Sequence, residues 1–333
     1  MRKTIYITTA LIIAIAIFIF LAVTAGGIVR QSSNLVVAPI EQIFVKENKT
    51  VSLFAVGDIM LSRNVGQKMV KYDDYHYPFL NFQELISSAD IAFGNLESPI
   101  IAGAVVKTGS FSFRADPQVA EALNWAGFDV LSLANNHILN QGQSGLDKTI
   151  DYLSGQDIDY CGAQKGEGDR LKIKEVRGLK IGFLCYAYGP TGSSNVFEMN
   201  EAQLQSDLEK AKGKVDFIVV SMHDGVEYAP VNSTHQQKFA RAAIDAGADL
   251  IIGHHTHVVQ NMEQYKGKYI FYSLGNFVFD QMWSTETRQG LAIRVDIDKS
   301  GVQSVDYYPL VIDDYSQPRQ ANATERDSVL KRL

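Results

Sequence analysis

Residues 249–257 read Asp249-Leu250-Ile251-Ile252-Gly253-His254-His255-Thr256-His257, an apolar run that ends in a cluster of histidines. A short run of Leu and Ile bounded by Gly is typical of a buried strand. Alternate residues of a strand point to the same side, so we expect His255 and His257 to share one face. Neutral imidazole nitrogens are good ligands for divalent metals. The stretch therefore predicts a metal site at the end of a buried strand.

The same succession of an apolar run and a polar end recurs along the chain from Val51. Between the apolar runs lie patterns of helical period, such as Pro117–Ala126, Leu146–Leu153, Glu201–Lys212 and Thr234–Ala246. Strands that alternate with amphipathic helices predict an α/β domain with a buried sheet. The predicted strands up to Gly253 are Val51–Val56, Asp90–Phe93, Asp129–Leu133, Lys180–Tyr186, Phe217–Ser221 and Asp249–Ile252.

The pattern changes after Gly253, where strands follow one another through turns. These predicted strands are Tyr269–Leu274, Leu291–Ile297 and Val302–Leu310. Strands joined in this way favour antiparallel pairing, so we expect a second, mainly antiparallel sheet packed on the first. The domain is expected to span residues 51–312 after a spacer at residues 31–50. The polar residues 313–333 are expected to form a loose tail or a surface helix.

Polar side chains occupy the ends of several predicted strands, where functional groups collect in open α/β sheets. Taken singly, Asp58 and Asn136 have an ordinary interpretation as turn residues, and His223 as a hydrogen-bonded core histidine. Repetition at five strand ends favours one shared metal site instead. The candidate ligands are Asp58, Glu97, Asn136, His223, His255 and His257.

The N-terminus carries an apolar stretch, Thr4–Thr24, behind Arg2 and Lys3. Because about 20 apolar residues span a bilayer as a helix, residues 1–30 are expected to anchor the chain in the cell membrane. The basic residues favour a single pass with the N-terminus inside and the domain outside. The alternative is a signal peptide with its cleavage site at Val23-Thr24-Ala25, which leads to a secreted protein.

The composition excludes one class of partner. The 333-residue chain has a net charge of −6, and its 31 Lys and Arg residues do not cluster. A nucleic-acid-binding surface needs a basic patch, so we expect no nucleic-acid partner.

The two cysteines leave two alternatives open. Cys161 and Cys185 form a disulfide if they lie close together in an oxidising compartment. Cys185 lies in the apolar run Ile181–Cys185, which favours a buried free thiol. We therefore expect unpaired cysteines.

Six motifs follow one another in an order that resembles a known family. They are Gly57-Asp58-Ile59-Met60-Leu61, Asn95-Leu96-Glu97-Ser98-Pro99, Ala134-Asn135-Asn136-His137, His223-Asp224-Gly225-Val226-Glu227-Tyr228, Gly253-His254-His255-Thr256-His257-Val258-Val259-Gln260 and Tyr272-Ser273-Leu274-Gly275-Asn276-Phe277-Val278-Phe279-Asp280. The set is similar to the bacterial capsule-synthesis family typified by CapA and PgsA, the poly-γ-glutamate biosynthesis proteins. That family resembles in turn the calcineurin-like metallophosphoesterases. The resemblance implies a four-layer α/β/β/α sandwich of two packed sheets.

The resemblance also implies roles for the residues at the strand ends. His137 matches the histidine that acts as general acid or stabilises the transition state. The implied cofactors are two divalent ions, Mn, Fe or Zn, which polarise a phosphoryl oxygen when bound. The implied ligands are Asp58, Asn136, His223, His255 and His257.

Two positions depart from the broader superfamily. Met60 stands where that superfamily has a histidine, and a thioether is a poor ligand for these ions. Asn95 stands where it has a bridging aspartate, which leaves Glu97 as the nearest carboxylate for that role. Both departures agree with the CapA-like pattern.

Three further residues are candidates for substrate contacts. Glu227 lies close in sequence to His223 and is expected to orient an imidazole or to contact an amine-bearing substrate. Its alternative is an ordinary surface carboxylate. Arg63 and Arg114 are the basic residues nearest the motifs and are candidates to pair with a phosphate or carboxylate. Asn276 and Asp280 are expected to be structural turn residues.

Three functions follow as hypotheses. The first is a membrane-anchored protein that serves the synthesis or export of an anionic surface polymer, poly-γ-glutamate or capsule, with membrane-bound synthesis or export subunits as partners. The second is an extracytoplasmic metal-dependent phosphoesterase or related hydrolase. The third is a polymer-binding module without catalysis, for which Met60 is the best argument.

Overall fold

The computed structural model describes residues 50–166, 168–189 and 192–333. The expected membrane anchor at residues 1–30, and all but the last residue of the expected spacer, lie outside this part of the chain. Within it, no helix combines the length and the apolar character needed to cross a membrane.

The described residues form fourteen strands and eight α-helices, which loops and turns connect. The strands are β1 (Val51–Ile59), β2 (Ile91–Leu96), β3 (Val130–Ser132), β4 (Asp159–Cys161), β5 (Lys172–Val176), β6 (Leu179–Ala187), β7 (Phe217–His223), β8 (Leu250–His254), β9 (Met262–Tyr265), β10 (Lys268–Phe271), β11 (Asn276–Val278), β12 (Gln289–Asp298), β13 (Gly301–Asp313) and β14 (Gln317–Gln320). The helices are α1 (Arg63–Tyr72), α2 (Gln83–Ser87), α3 (Val119–Ala126), α4 (Gly142–Ser154), α5 (Glu201–Ala211), α6 (Thr234–Asp245), α7 (Thr285–Arg288) and α8 (Ala323–Leu330).

The strands form two sheets whose parallel centres lie at β1–β4 and β6–β8. The first sheet has the order β14-β13-β12-β1-β2-β3-β4, with β11 paired to β1 outside this path. The second has the order β5-β6-β7-β8-β10-β9. In each sheet the central pairs are parallel and antiparallel strands lie at an edge.

The expected division of the sheets at Gly253 was wrong. The C-terminal strands β12–β14 extend the first sheet through antiparallel pairing of β12 with β1, in the register Leu53↔Val295 and Ala55↔Ile293. The four side chains of this register belong to one buried cluster, which explains the pairing. Pairing in this register places the apolar face of β12 in the same buried layer as that of β1.

Three apolar layers give the four-layer α/β/β/α sandwich that the family resemblance implied. Alternate residues of β1 face opposite layers: Leu53 and Ala55 pack between the two sheets, whereas Phe54 and Val56 pack under helices. The helices on the first sheet contribute residues such as Val65 and Leu123, and those on the second contribute Leu204 and Phe239. Full burial of a Val, Leu, Ile or Phe side chain contributes about 1.5–3 kcal/mol, so these layers hold the sandwich together.

Helix α6 illustrates how local sequence sets the ends of these elements. Ser233 accepts a hydrogen bond from the backbone of Gln236, whose side chain accepts one from the backbone of Ser233, a complete capping box. Helix α3 ends at Gly127, which has a φ of 100°. A residue with a side chain is strained in that left-handed conformation, so the glycine ends the helix there.

The C-terminal residues belong to the domain, contrary to the loose tail that was one of two expectations for residues 313–333. Strand β14 forms an edge of the first sheet, and helix α8 follows it. Val329 of that helix is fully buried in the layer between the sheets. Arg319 donates hydrogen bonds to Glu325 and Asp313, which holds the strand and the helix together.

We expect Glu325→Gln to weaken the domain in a pH-dependent way. The ion pair with Arg319 lowers the pKa of Glu325 to about 2, from an ordinary 4.5. A lowered carboxyl pKa adds stability that is present above pH 4.5 and is lost as the pH falls towards 2. Denaturant unfolding should show a cost of about 1 kcal/mol at pH 7, and a smaller one at pH 3. Glu209→Gln, on an exposed surface pair, should change neither value.

The expectation of unpaired cysteines was wrong, because Cys161 and Cys185 form a disulfide. Cys161 ends β4 in the first sheet and Cys185 lies in β6 of the second, so the bond joins the two sheets. Both residues are buried in the apolar layer between the sheets. The two positions are separated by 24 residues in sequence, and only the packing of the sheets brings them together.

Candidate metal centre

The carboxyl ends of both sheets meet at one place, and the polar residues of the motifs converge there. In the first sheet, Asp58 pairs in register with Asn95 of β2 and with Asn276 of β11. In the second, His223 of β7 pairs with His254 of β8. Parallel strands end on the same side of a sheet, which explains why residues far apart in sequence gather at this edge.

The reason given for the placement of His255 and His257 was wrong, although both lie at this edge. Strand β8 ends at His254, so strand alternation does not apply to the two residues beyond it. Their φ angles are 92° and 60°, in the left-handed region that residues with side chains rarely adopt. The turn, and not the strand, directs the two imidazoles inward. Such strained residues concentrate at functional sites.

Asp58, Glu97 and His223 form a buried group that we call the inner triad. One ligand atom from each lies within 4.8 Å of those of the other two. The side-chain nitrogen of Asn95 lies among them, 2.9 Å from Asp58 Oδ1, 3.2 Å from Glu97 Oε1 and 3.2 Å from His223 Nδ1. Glu97 Oε2 is buried without a hydrogen-bond partner among the described residues.

The two carboxyl groups of the inner triad have opposite proton affinities. Burial alone would raise the pKa of Asp58, but the imidazoles of His254 and His257, whose Nδ1 atoms lie 3.3 and 3.5 Å from its oxygens, lower it well below its usual range. Burial raises the pKa of Glu97 well above its usual range, and the neighbouring Asp58 carboxylate raises it further. Asp58 therefore stays ionised and carries the negative charge of the site. The second carboxyl group, on Glu97, is stabilised by a neighbour that carries a positive charge or donates a hydrogen bond.

Asn136, His223 and His255 form a second group, the outer trio. Asn136 Oδ1 lies 3.0 Å from His223 Nε2, and His255 Nδ1 lies 3.1 Å from the same nitrogen. Ligand atoms about 2.1 Å from one ion lie roughly 3 Å apart, as the two atoms of each of these pairs do. Burial lowers the pKa of both imidazoles, and other histidines nearby lower it further, which keeps them neutral and able to bind metal. One amide oxygen and two imidazole nitrogens fit Mn, Fe or Zn.

His257 is oriented by Asn276. Asn276 Nδ2 donates to the Thr287 carbonyl at 2.9 Å and to Gln281 Oε1 at 3.0 Å, which turns its Oδ1 towards His257 Nδ1 at 3.0 Å. The proton of the imidazole therefore lies on Nδ1, and Nε2 keeps its lone pair. Asn276 acts through His257, a role beyond the turn residue that the sequence suggested.

His137 lies at the rim beside Asn136, half-buried against the ring of Phe113 at 4.0 Å. Asn140 Oδ1 accepts a hydrogen bond from the Phe113 backbone at 2.7 Å, so His137 Nδ1, 3.0 Å away, must donate to the same oxygen. Burial lowers the pKa of His137 to about 4. At neutral pH the ring is uncharged with a bare Nε2, which suits a proton acceptor better than the general acid implied by the resemblance.

The remaining candidates are placed differently. Arg63 is buried and paired with Asp280, and Arg114 donates to the Ile101 carbonyl, so neither guanidinium joins the histidines. Glu227 is exposed beside Tyr228, whose ring centroid lies 6.1 Å from that of His257. A contact between Glu227 and a substrate therefore stays a prediction.

Two residues at the centre were missed as site residues. His254 is fully buried, and its Nδ1 lies 3.3 Å from Asp58 Oδ1. Asn95 was read only as a substitution for a carboxylate, whereas its amide nitrogen contacts the whole inner triad. The available signal was a polar residue at or next to the end of an apolar run: His254 is the last residue of β8, and Asn95 precedes the last residue of β2.

The chain matches the family description "Bacterial capsule synthesis protein PGA_cap" over residues 52–281. It is 33% identical over 314 residues to the capsule biosynthesis protein CapA of Bacillus anthracis, with 89% of this chain and 75% of that protein covered. It is 30% identical over 292 residues to the PGA biosynthesis protein CapA of Bacillus subtilis, with 84% and 76% covered.

A solved structure bears on the fold. A phosphatase of Mycoplasma pneumoniae superimposes with a TM-score of 0.53 at 14% sequence identity, over 84% of this chain and 96% of that chain. At this identity the likeness concerns the fold alone. The family match covers most of the domain and all strand ends described above, and the chain therefore belongs to the bacterial capsule synthesis protein PGA_cap family.

Proposed function

We propose that this protein takes part in the synthesis or export of an anionic surface polymer, poly-γ-glutamate or a related capsule, on the outer face of the membrane. The observation that carries the proposal is the similarity to two CapA proteins over more than four fifths of the chain. The apolar residues 4–24 support an anchor that holds the domain outside the membrane, and a cleaved signal peptide is the alternative.

A divalent ion, Mn, Fe or Zn, is the cofactor that we propose for the strand-end site. When bound, it polarises a phosphoryl or carbonyl oxygen of the substrate. Around it, the carboxylate of Asp58 compensates positive charge, and Asn276 holds His257 in one tautomer. The bare Nε2 of His137 accepts a proton at the rim.

Membrane-bound synthesis or export subunits are the partners that we propose. The chain carries a net charge of −6, which disfavours direct binding of a polyanion. A bound cation or a partner subunit supplies the missing positive charge. Anchoring beside such subunits brings the site to the polymer as it emerges.

A metal-dependent phosphoesterase is the second candidate function. The orientation of His137, which Asn140 and Phe113 fix, favours it, because a non-catalytic binding site gains nothing from a bare imidazole nitrogen at its rim. A polymer-binding module without catalysis is the third candidate.

Loss of surface polymer is the test of the first function. A strain that lacks the protein should lose the polymer, the wild-type chain should restore it, and the His223→Ala chain should not. His76→Ala, which changes a histidine paired with Glu121 away from the site, should restore it fully. Undiminished polymer in the deletion strain, together with a chain that purifies without membrane partners, would exclude this function.

We expect His137→Ala to separate catalysis from metal binding. Loss of a positioned proton acceptor lowers turnover roughly 10²–10⁴-fold, and the metal ligands stay in place. Hydrolysis of p-nitrophenyl phosphate and metal content by elemental analysis are the two measurements, on the full chain in detergent. If metal-loaded wild type and variant are equally inactive on phosphomonoesters and phosphodiesters, the phosphoesterase function fails for these substrates.

A further inference from the structure

The orientation of the buried Asn95 amide decides how many ions the site can hold, and Asn135 sets that orientation. Asn135 Nδ2 donates to the Leu96 carbonyl at 2.8 Å, and Asn135 Oδ1 accepts from the His137 backbone at 3.1 Å. Both partners are backbone groups with fixed roles, so the Asn135 carboxamide has only one possible orientation.

Asn135 in turn orients Asn95. Asn135 Nδ2 lies 3.3 Å from Asn95 Oδ1, which must accept, and Asn95 Nδ2 therefore points into the inner triad. Its two hydrogens face Asp58 Oδ1 at 2.9 Å, Glu97 Oε1 at 3.2 Å and His223 Nδ1 at 3.2 Å. All three residues are fully buried. The amide thus joins an ionised carboxylate to a second carboxyl in a place that water does not reach.

In this arrangement, the second ring nitrogen of His223, Nε2, is placed to bind a metal ion. A neutral His223 that binds an ion through Nε2 carries its proton on Nδ1, and the two amide hydrogens of Asn95 then go to Asp58 Oδ1 and Glu97 Oε1. His223 Nε2 is then free for an ion, next to Asn136 Oδ1 and His255 Nδ1.

A second ion has no place in the inner triad. An ion about 2 Å from these ligands would occupy the space that the Asn95 amide hydrogens fill, and the partial positive charge of those hydrogens would repel it. Met60 offers no replacement, because its side chain is buried in the apolar layer under the helices of the first sheet. The outer trio, with Asn136 exposed, remains open.

We propose that this protein binds a single divalent ion, at Asn136, His223 and His255, and that the Asn95 carboxamide replaces a second ion. The proposal rests on the metal binding proposed above and makes Glu97 a positioning residue in place of a metal ligand. Asn95 holds Asp58 and Glu97 together as a cation would.

Mn²⁺ binding to the full chain in detergent tests the proposal. We expect about one Mn²⁺ per wild-type chain by elemental analysis after gel filtration, with the six-line electron paramagnetic resonance spectrum of an isolated ion. Asn95→Asp removes both amide hydrogens and adds a carboxylate between the ligands. This variant should bind two Mn²⁺ ions and show the broadened spectrum of a coupled pair.

The outcomes separate this inference from the function it rests on. Two coupled ions in the wild type would overturn the inference and leave the metal site intact. No bound Mn²⁺ in the wild type, with Zn²⁺ and Fe²⁺ equally absent, would remove the metal site itself. One ion in both chains, with Asn95→Asp folded by circular dichroism, would show that Asn95 does not exclude the second ion. If Asn95→Asp does not fold, the wild-type stoichiometry and spectrum decide the question.

Discussion

Gly57→Ala is expected to cost about 3 kcal/mol or more and to lower the yield of folded protein, because typical domains have only about 5–15 kcal/mol of stability. A Cβ at this position would lie 1.9 Å from the Gly275 carbonyl oxygen and 2.8 Å from its carbon. Both are backbone atoms, so no rotamer change relieves the overlap. The same carbonyl accepts the hydrogen bond of the Asp58 backbone, at 2.9 Å, and would be pushed away from it.

Thermal unfolding and metal content of the purified chain measure this effect. Gly66→Ala is the matched control, since it adds the same methyl group within helix α1, where the nearest neighbour is the Leu61 carbonyl oxygen at 3.6 Å. Alanine favours a helix over glycine by about 0.5–1 kcal/mol, so the control should be slightly more stable than wild type. A Gly57→Ala chain that melts with the wild type would show that the two segments are not in contact.

Removal of the disulfide has the second large expected effect. Closing a loop of this size stabilises a chain by roughly 3 kcal/mol, mainly through the unfolded state, and the bond also joins the two sheets. The double variant Cys161→Ala/Cys185→Ala should therefore unfold about 6–12 °C below the wild type. Differential scanning calorimetry measures the shift.

Two controls accompany this measurement. Wild type that has been reduced under denaturant and alkylated should lose the same stability as the double variant. Unreduced wild type should take up no iodoacetamide when it is denatured. Labelling of two thiols in that sample would show that the cysteines are free, and the double variant would then report only the loss of two buried side chains.

The element types and the site positions could be predicted because they follow from local sequence. The run Val51–Val56 and the run Phe217–Ser221 each became a strand, β1 and β7, whose burial is complete. Helix Thr234–Ala246 was predicted to within one residue, since its capping box is encoded by adjacent residues. Asp58 and Asn136 lie at the carboxyl edge of the first sheet because parallel strands end on the same side of a sheet, and His223 lies at the corresponding edge of the second sheet for the same reason.

Properties that depend on long-range pairing could not be predicted in the same way. Strands β12–β14 joined the first sheet because β1 offered an edge of matching alternation, which no local pattern reveals. The same limit applies to the cysteines, whose proximity depends on how the sheets pack. For His255 and His257, the sequence indicated the correct site for the wrong reason, because the backbone leaves the strand at His254.

By itself, the sequence determined that this is an α/β protein of the capsule synthesis family with imidazoles and carboxyl groups at strand ends. The fold class follows from periodicity and composition, and the family follows from the resemblance of the ordered motifs, all of which are properties of the sequence alone. Only the tertiary structure decided which atoms face one another: that Asn95 points its hydrogens at Asp58 and Glu97, and that Asn136 and His255 share His223 Nε2. The reason is physical, since the orientation of a buried amide is set by partners from other strands, and those partners meet only when the two sheets pack together.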